Sequence, residues 1–249
     1  MQFVNGFGAA LIAIVISNLA TTVYLHRCLT HRSVTIKEPL RTLFRAHLWL
    51  MTGIRGRDWA AVHRKHHQFA DEARDPHSPI GRGWFKTLIL NFFLCAKEAS
   101  NPETIEKYTA DIRDDWWDRT FFNRGWVGFF SGWTLFVLGF GWLAGSLAFL
   151  FHGAGYLGLN SAINSLCHVF GYRNYAGHYA TNLPVLAFLT WGEGYHNNHH
   201  EHPTSPSFSA KKTEWDLGWL SVQALVRLGQ VKLIGTPIQA RRAAKLTTG

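Results

Sequence analysis

Residues 125–171 read GWVGFFSGWTLFVLGFGWLAGSLAFLFHGAGYLGLNSAINSLCHVFG, without one Asp, Glu, Lys or Arg. About 20 apolar residues cross a bilayer, so this block is long enough to cross twice. Gly153 and Gly155, beside His152, mark the expected turn, giving spans at about 126–150 and 152–171. Gly132, Gly139, Gly141 and Gly145, then Gly158, Ser161 and Ala162, suit close helix contact in lipid.

Residues 1–26 are likewise uncharged, and Phe7 to Leu25 makes a further span at about 6–25. It is a poor signal peptide, since it lacks a basic start and runs straight into His26. All 25 Lys and Arg fall in 27–124 and 173–249, the segregation that the cost of charge in hydrocarbon imposes. Residues 39–54 (PLRTLFRAHLWLMTGI) are apolar but interrupted by Arg41, Arg45 and His47. If they crossed, the histidines on either side of them would face opposite compartments. They are therefore expected to lie at the interface. The chain then reads as an all-α membrane protein. A transmembrane stem of three spans carries a cytosolic helical cap, residues 26–124 and 172–249, in one domain of 249 residues. Every Lys and Arg lands on the inner side, although their positions did not choose the topology. Stretches 84–95 and 183–191 are too short to span and fit interfacial or buried helices. The basic tail from Arg241 to Lys245 is expected to be loose.

Nine histidines stand in a pattern: His26 and His31; His63, His66 and His67; His168, preceded by Asn164; His196, His199 and His200. Neutral imidazole is the commonest metal ligand and suits iron, zinc, copper and nickel. A first shell takes about four to six donors, so nine imidazoles point to two metals close together. Positions i, i+3 and i+4 share one face of a helix, so each triplet presents three rings to one side, and Asn164 joins His168. His26 and His31 lie about 140° apart on an α-helix, which fits a place where a helix ends and the chain turns.

The net charge of +9 does not bring nucleic acid into the reading, because the basic residues flank the apolar blocks and no nucleic-acid motif is present. Cys28, Cys95 and Cys167 show no paired spacing, which suits the reducing side of a membrane.

The boxes HRCLTH (26–31), HRKHH (63–67), NSLCH (164–168) and GEGYHNNHH (192–200), with RDPH (74–77), resemble the integral-membrane fatty-acid desaturases, particularly the acyl-CoA Δ9 type. The resemblance implies a helical stem with a cytosolic cap and a bent apolar tunnel for the acyl chain. It also implies two irons held by the nine histidines, with Asn164 touching one through a water. Against that resemblance two departures are expected: the reading has the chain start at the second of four usual spans, without a fused cytochrome b5 domain. Electrons are then expected from a separate ferredoxin, or from cytochrome b5 with its reductase. The partners are a long-chain acyl substrate, acyl-CoA foremost, with O2 and membrane lipid.

Attacking an unactivated methylene needs an oxidant that no side chain supplies, so the cofactor carries that step. The candidate carboxylates for orienting ring N–H groups are Asp58, Glu72, Asp75, Glu193 and Glu201. Trp49, Trp59, Phe69, Trp191 and Tyr195 are candidates for a tunnel wall, and Arg55, Arg57, Arg64, Lys65 and Arg74 for contacts to a head group. The alternatives are a hydroxylase, ketolase or acetylenase on the same metals, a haem-binding electron carrier, and a metal transporter. The last needs polar ligands at mid-membrane, which 125–151 lack.

Overall fold

The computed structural model describes residues 1–240, so the basic tail from Arg241 lies outside the described residues. Helix α1 (Gln2–Ala20) runs without a break into a π-helical stretch, Thr21–Thr30. A three-residue strand β1 (Val34–Ile36) follows, then α2 (Leu40–Thr52), α3 (Gly56–Gln68), α4 (Trp84–Ala99) and α5 (Pro102–Tyr108). The chain continues through a short π-turn, Asp118–Phe122, to α6 (Gly125–Phe140) and α7 (Trp142–Leu166). It closes with α8 (Pro184–Leu189), α9 (His196–Glu201), α10 (Leu217–Arg227) and β2 (Val231–Leu233).

Among the described residues two helices are long and apolar enough to cross a membrane, Gln2–Thr30 and Trp142–Leu166, and α6 is a shorter apolar helix. Much of their surface is outward-facing hydrocarbon: Leu11, Ile12 and Val15 on α1, Leu135 and Leu138 on α6, Leu143 and Leu150 on α7. Helix α4 likewise turns Phe85, Ile89, Phe92 and Phe93 outward.

The uncharged block does fold as two helices, but the turn falls at Gly141, not at Gly153 and Gly155. Gly141 holds φ +82, a conformation open to glycine at little cost. Helix α7 runs straight through both later glycines. Gly155 serves packing instead: a Cβ there would stand 2.6 Å from Ile14 Cδ1 on α1. Of the small residues, Gly132 and Gly145 do sit at close contacts, where a Cβ would meet the Leu50 and Phe136 carbonyl oxygens at 2.0 and 2.3 Å. Gly139 and Gly158 face open space.

Helix α2 packs along α1 and α6. Phe44 and Leu48 join Val23, Tyr24 and Leu25 in one apolar cluster, and Met51 joins Ala10, Ala13 and Ala148 in another. Of the charges that interrupt its sequence, Arg45 is buried and satisfied. Arg45 donates to both Asp115 oxygens at 2.6 and 2.9 Å and pairs with Asp118 at 2.6 Å. Between α1, α2 and α7 runs a polar seam that the composition did not reveal. Ser17 Oγ meets His47 Nε2 at 2.9 Å and His152 Nε2 at 3.1 Å, and Thr21 meets Tyr156 at 2.8 Å. Such pairs hold helices together where water is scarce. Strands β1 and β2 pair antiparallel, Val34 with Leu233 and Ile36 with Val231, and tie the end of the chain to the segment after the first histidines.

Candidate metal centre

The π-helical stretch decides where the first two histidines point. A π-turn closes i to i+5, and the His31 N–H donates to the His26 carbonyl at 3.0 Å. His26 and His31 therefore share a side, with ring centroids 4.8 Å apart. The expectation from α-helical geometry that they diverge is corrected by that change of pitch.

His63, His66 and His67 lie on α3, His196, His199 and His200 on α9, and His168 just past the end of α7. All nine converge, in two groups. His26, His31, His63, His67 and His199 form one, and His66, His168, His196 and His200 the other, with ligand atoms in each within 4.8 Å of one another. Each triplet is thus divided. On α3 the i, i+4 pair His63/His67 serves the first group and His66 the second. On α9 the i, i+4 pair His196/His200 serves the second group and His199 the first. The two helices exchange one ring each, which locks the groups side by side.

The nitrogens that meet are Nε2. His26 and His199 approach to 2.9 Å, His67 and His63 to 3.0 Å, His67 and His199 to 2.9 Å. In the second group His196 lies 3.1 Å from His168 and 3.0 Å from His200, and His66 lies 3.2 Å from His200. Carboxylates occupy the other face of three rings. His66 Nδ1 donates to Asp75 at 2.8 Å and His168 Nδ1 to Asp71 at 2.7 Å, while His26 Nδ1 lies 2.5 Å from Glu193 Oε2. A proton fixed on Nδ1 leaves a lone pair on Nε2. Lone pairs facing one another at such distances repel, and a cation placed between them turns that repulsion into coordination. The donor set therefore fits two metal ions, with all-imidazole shells of the kind that suit iron, zinc or copper.

Burial, reinforced by neighbouring imidazoles, holds His31, His63, His67, His196, His199 and His200 well below the usual histidine range. They are neutral, as ligands must be. Burial would raise Asp75, but the His66 bond and charge outweigh it and hold the carboxyl below its ordinary value. Glu193 is lowered in the same way, against its burial, by His26 and then Arg27. The sign of the pH dependence follows. The unfolded chain takes up protons near pH 6.5 that the six folded rings refuse. Stability is therefore complete above about 6.5 and is lost as pH falls below it, each proton adding a slope of about 1.4 kcal/mol per pH unit. The melting temperature of the detergent-purified protein is expected to drop steeply between about pH 7 and 5.5. A flat profile there contradicts the neutral cluster.

Of the five carboxylates offered by the sequence, Asp75 and Glu193 do back rings of the two histidine groups. Asp58 pairs with Arg55 and Glu72 with Arg74, while Glu201 stands 3.8 Å from His178. Asp71 was missed. It holds His168 from a left-handed backbone position (φ +65), and its N–H donates to Asp75. No spacing signalled it, because residues 69–77 form turns and not a helix. His77 of the RDPH motif was also missed as a site residue. Its buried ring stacks on His66 at 4.4 Å, and burial lowers it to about 3. Asn164 sits one turn before His168 and donates from Nδ2 to Asn91 Oδ1 at 3.2 Å.

Among the aromatic candidates, Trp59 stacks on His63 at 4.8 Å and packs against His26. Phe208, which the sequence did not single out, packs on His199 at 4.6 Å and His26 at 5.3 Å. Trp49 lies elsewhere, against Phe121 and Phe122. Phe69 lies under Arg74, Trp191 bonds Val15, and the Tyr195 hydroxyl accepts from the Trp215 N–H. All five basic candidates have partners within the chain: Arg64 with Asp111, Lys65 with Glu98, Arg57 with Thr109, Arg55 with Asp58 and Arg74 with Glu72. The three cysteines are free thiols.

Fold and site together define a mostly helical protein whose centre is a paired, all-histidine cluster with a donor set that fits metal ions. The family profile described as fatty acid desaturase matches residues 2–224. The chain is 31% identical over 245 residues to the sn-1 stearoyl-lipid 9-desaturase of Synechocystis sp., an alignment covering 95% of this chain and 74% of that one. It is 32% identical over 249 residues to the Delta-9 acyl-lipid desaturase 1 of Arabidopsis thaliana (94% and 76%). It is 28% identical over 233 residues to the icosanoyl-CoA 5-desaturase of Limnanthes douglasii (90% and 63%). This chain belongs to the fatty acid desaturase family, and it is an oxidoreductase of the fatty acyl desaturase class.

Proposed function

We propose that the chain introduces a cis double bond, Δ9-like, into a long-chain acyl substrate, using O2, two irons and a separate electron donor. In balance, one –CH2–CH2– unit, one O2, two electrons and two protons give one –CH=CH– unit and two waters. The observation that carries the reading is the division of nine neutral imidazoles into groups of five and four, exchanged between α3 and α9. Two irons, when bound there, supply the reduction of O2 and the oxidant for the C–H bond. The nine histidines hold them, and Asp71, Asp75 and Glu193 fix the ring orientations. Trp59 and Phe208 wall the centre with hydrocarbon and keep water from the reacting carbons. Asn164 lies on the second group's side of α7, consistent with a contact through water.

The same reading places α1, α6 and α7 across the bilayer and α2 and α4 along its inner face. The metal centre then stands on the cytoplasmic side, in reach of ferredoxin or of cytochrome b5 with its reductase. Outward apolar surface on the three helices supports this, as does the confinement of Lys and Arg to 27–124 and 173–249. Helix α6, about 24 Å long, is short for a bilayer core of about 30 Å, a mismatch that local thinning absorbs.

The test is gas chromatography of fatty esters, with double-bond mapping, from a host expressing the chain alongside an electron donor. New monounsaturated chains carrying the bond at C9 are expected, on acyl lipid or on CoA ester, and the fraction in which they first appear identifies the head group. Iron-loaded protein that leaves the host's chains unchanged overturns the proposal, and so does a hydroxylated product without alkene.

A further inference from the structure

Residues 179–192 carry no charge, and α8 lies at their middle. Its two sides meet opposite surroundings. Val185, Phe188 and Leu189 point outward, 72, 58 and 51% exposed, while Leu186 and Ala187 are buried. A contiguous outward apolar patch of this kind marks an interaction surface.

The patch continues the hydrocarbon surface of the long apolar helices. Past α8, the Trp191 indole N–H donates to the Val15 carbonyl of α1 at 3.1 Å, and Val15 itself faces outward. On the other side, Leu186 packs with Ala162 and Ile163 of α7, and Leu88 of α4 joins the same cluster. Trp84 of α4 meets Phe170 edge-on at 5.4 Å, so outward apolar surface runs from α4 through Phe170 to α8. The turn that leaves α8 closes on itself. The Thr190 N–H donates to the Leu186 carbonyl at 2.9 Å and the Gly192 N–H to the Ala187 carbonyl at 2.7 Å. Such closure suits a segment in hydrocarbon, where backbone groups find no water.

Behind the buried side stand the imidazoles. Ala187 clusters with Tyr195 and Phe208, and Phe208 packs on the His199 and His26 rings. Gly194 passes so close that a Cβ there would stand 2.2 Å from the Ala187 nitrogen, and Glu193 beside it holds His26. One helix and one aromatic layer therefore separate the outward patch from the histidine groups.

We propose that α8 is embedded in the inner leaflet, and that the acyl chain enters the metal centre laterally, past α8, from a lipid of that leaflet. The proposal rests on the desaturase reading above. The occupant of the patch is lipid hydrocarbon, because the patch is uncharged and continues the outward face of α1.

The experiment uses the full-length, iron-loaded protein in nanodiscs made from the host's total lipid extract. One arm places p-benzoylphenylalanine at Phe188, at Phe130 on the outward face of α6, or at Glu106 on exposed α5, and reads lipid adducts by mass after irradiation. Adducts are expected at 188 and 130 and not at 106. An adduct at 130 without one at 188 overturns the proposal, while adducts at neither overturn the membrane placement itself. The other arm supplies electron donor and no CoA ester. Wild type is expected to desaturate the nanodisc lipid. Replacing two outward side chains, Phe188→Gln with Leu189→Gln, is expected to lower that turnover about tenfold with iron content unchanged. Unchanged turnover in the variant overturns the proposal, as does loss of its iron. So does wild-type protein that ignores the nanodisc lipid but turns over added stearoyl-CoA. Wild-type protein inactive on both overturns the desaturase reading instead.

Discussion

Replacing His66 by alanine is expected to lower the iron content from two per chain to about one and to reduce desaturation about a thousandfold, with the helices intact. His66 is the ring that α3 lends to the second group, its Nδ1 is fixed by Asp75, and it stacks on His77. Removing it opens one metal's shell and strands a buried carboxylate. The bound metal is asked for several kcal/mol of transition-state stabilisation, and at about 1.4 kcal/mol per decade a loss of about 4 kcal/mol is about a thousandfold. Iron analysis and product yield of the purified variant check this. Activity within tenfold of wild type means that the second group is not a metal site.

The second large effect lies in stability. Replacing Arg27 by glutamine is expected to cost about 3–5 kcal/mol, because it breaks a buried ion pair from one side. The Arg27 side chain is fully buried, donates to both Asp216 oxygens at 3.1 Å and to the Pro206 carbonyl at 2.8 Å, and lies 3.8 Å over the Phe208 ring. It also contacts Glu193, the carboxylate behind His26. Without it, two carboxylates remain in a site that excludes water. For a chain of this size that cost corresponds to a fall of about 10 °C in the melting temperature. An unchanged melting curve means that the Arg27 network contributes nothing to the fold.

The convergence of the nine histidines was legible because ligand chemistry leaves little freedom. Histidines at i, i+3 and i+4 share a helix face, and no ordinary core requires two such triplets. What spacing does not encode is how the triplets are shared, since that depends on the approach of α3 to α9. The His26/His31 pair was misjudged for a definite reason. Five residues diverge on an α-helix and coincide on a π-helix, and nothing in TTVYLHRCLT announces the wider turn. The hairpin was legible from its lack of charge, but its turn was not. Glycine serves both turns and tight helix contacts, and Gly141 does the first while Gly155 does the second. Asp71, Phe208 and Asp216 escaped because they reach the site through folded loops and the C-terminal segment. Strands β1 and β2 are too short to leave a period-two signature.

The most direct test of the whole account is the metal content of the wild-type protein, purified in mild detergent and measured against protein concentration. Two irons per chain are predicted, one for each imidazole group. One metal per chain, or a cluster filled by zinc in a protein that still desaturates, contradicts it.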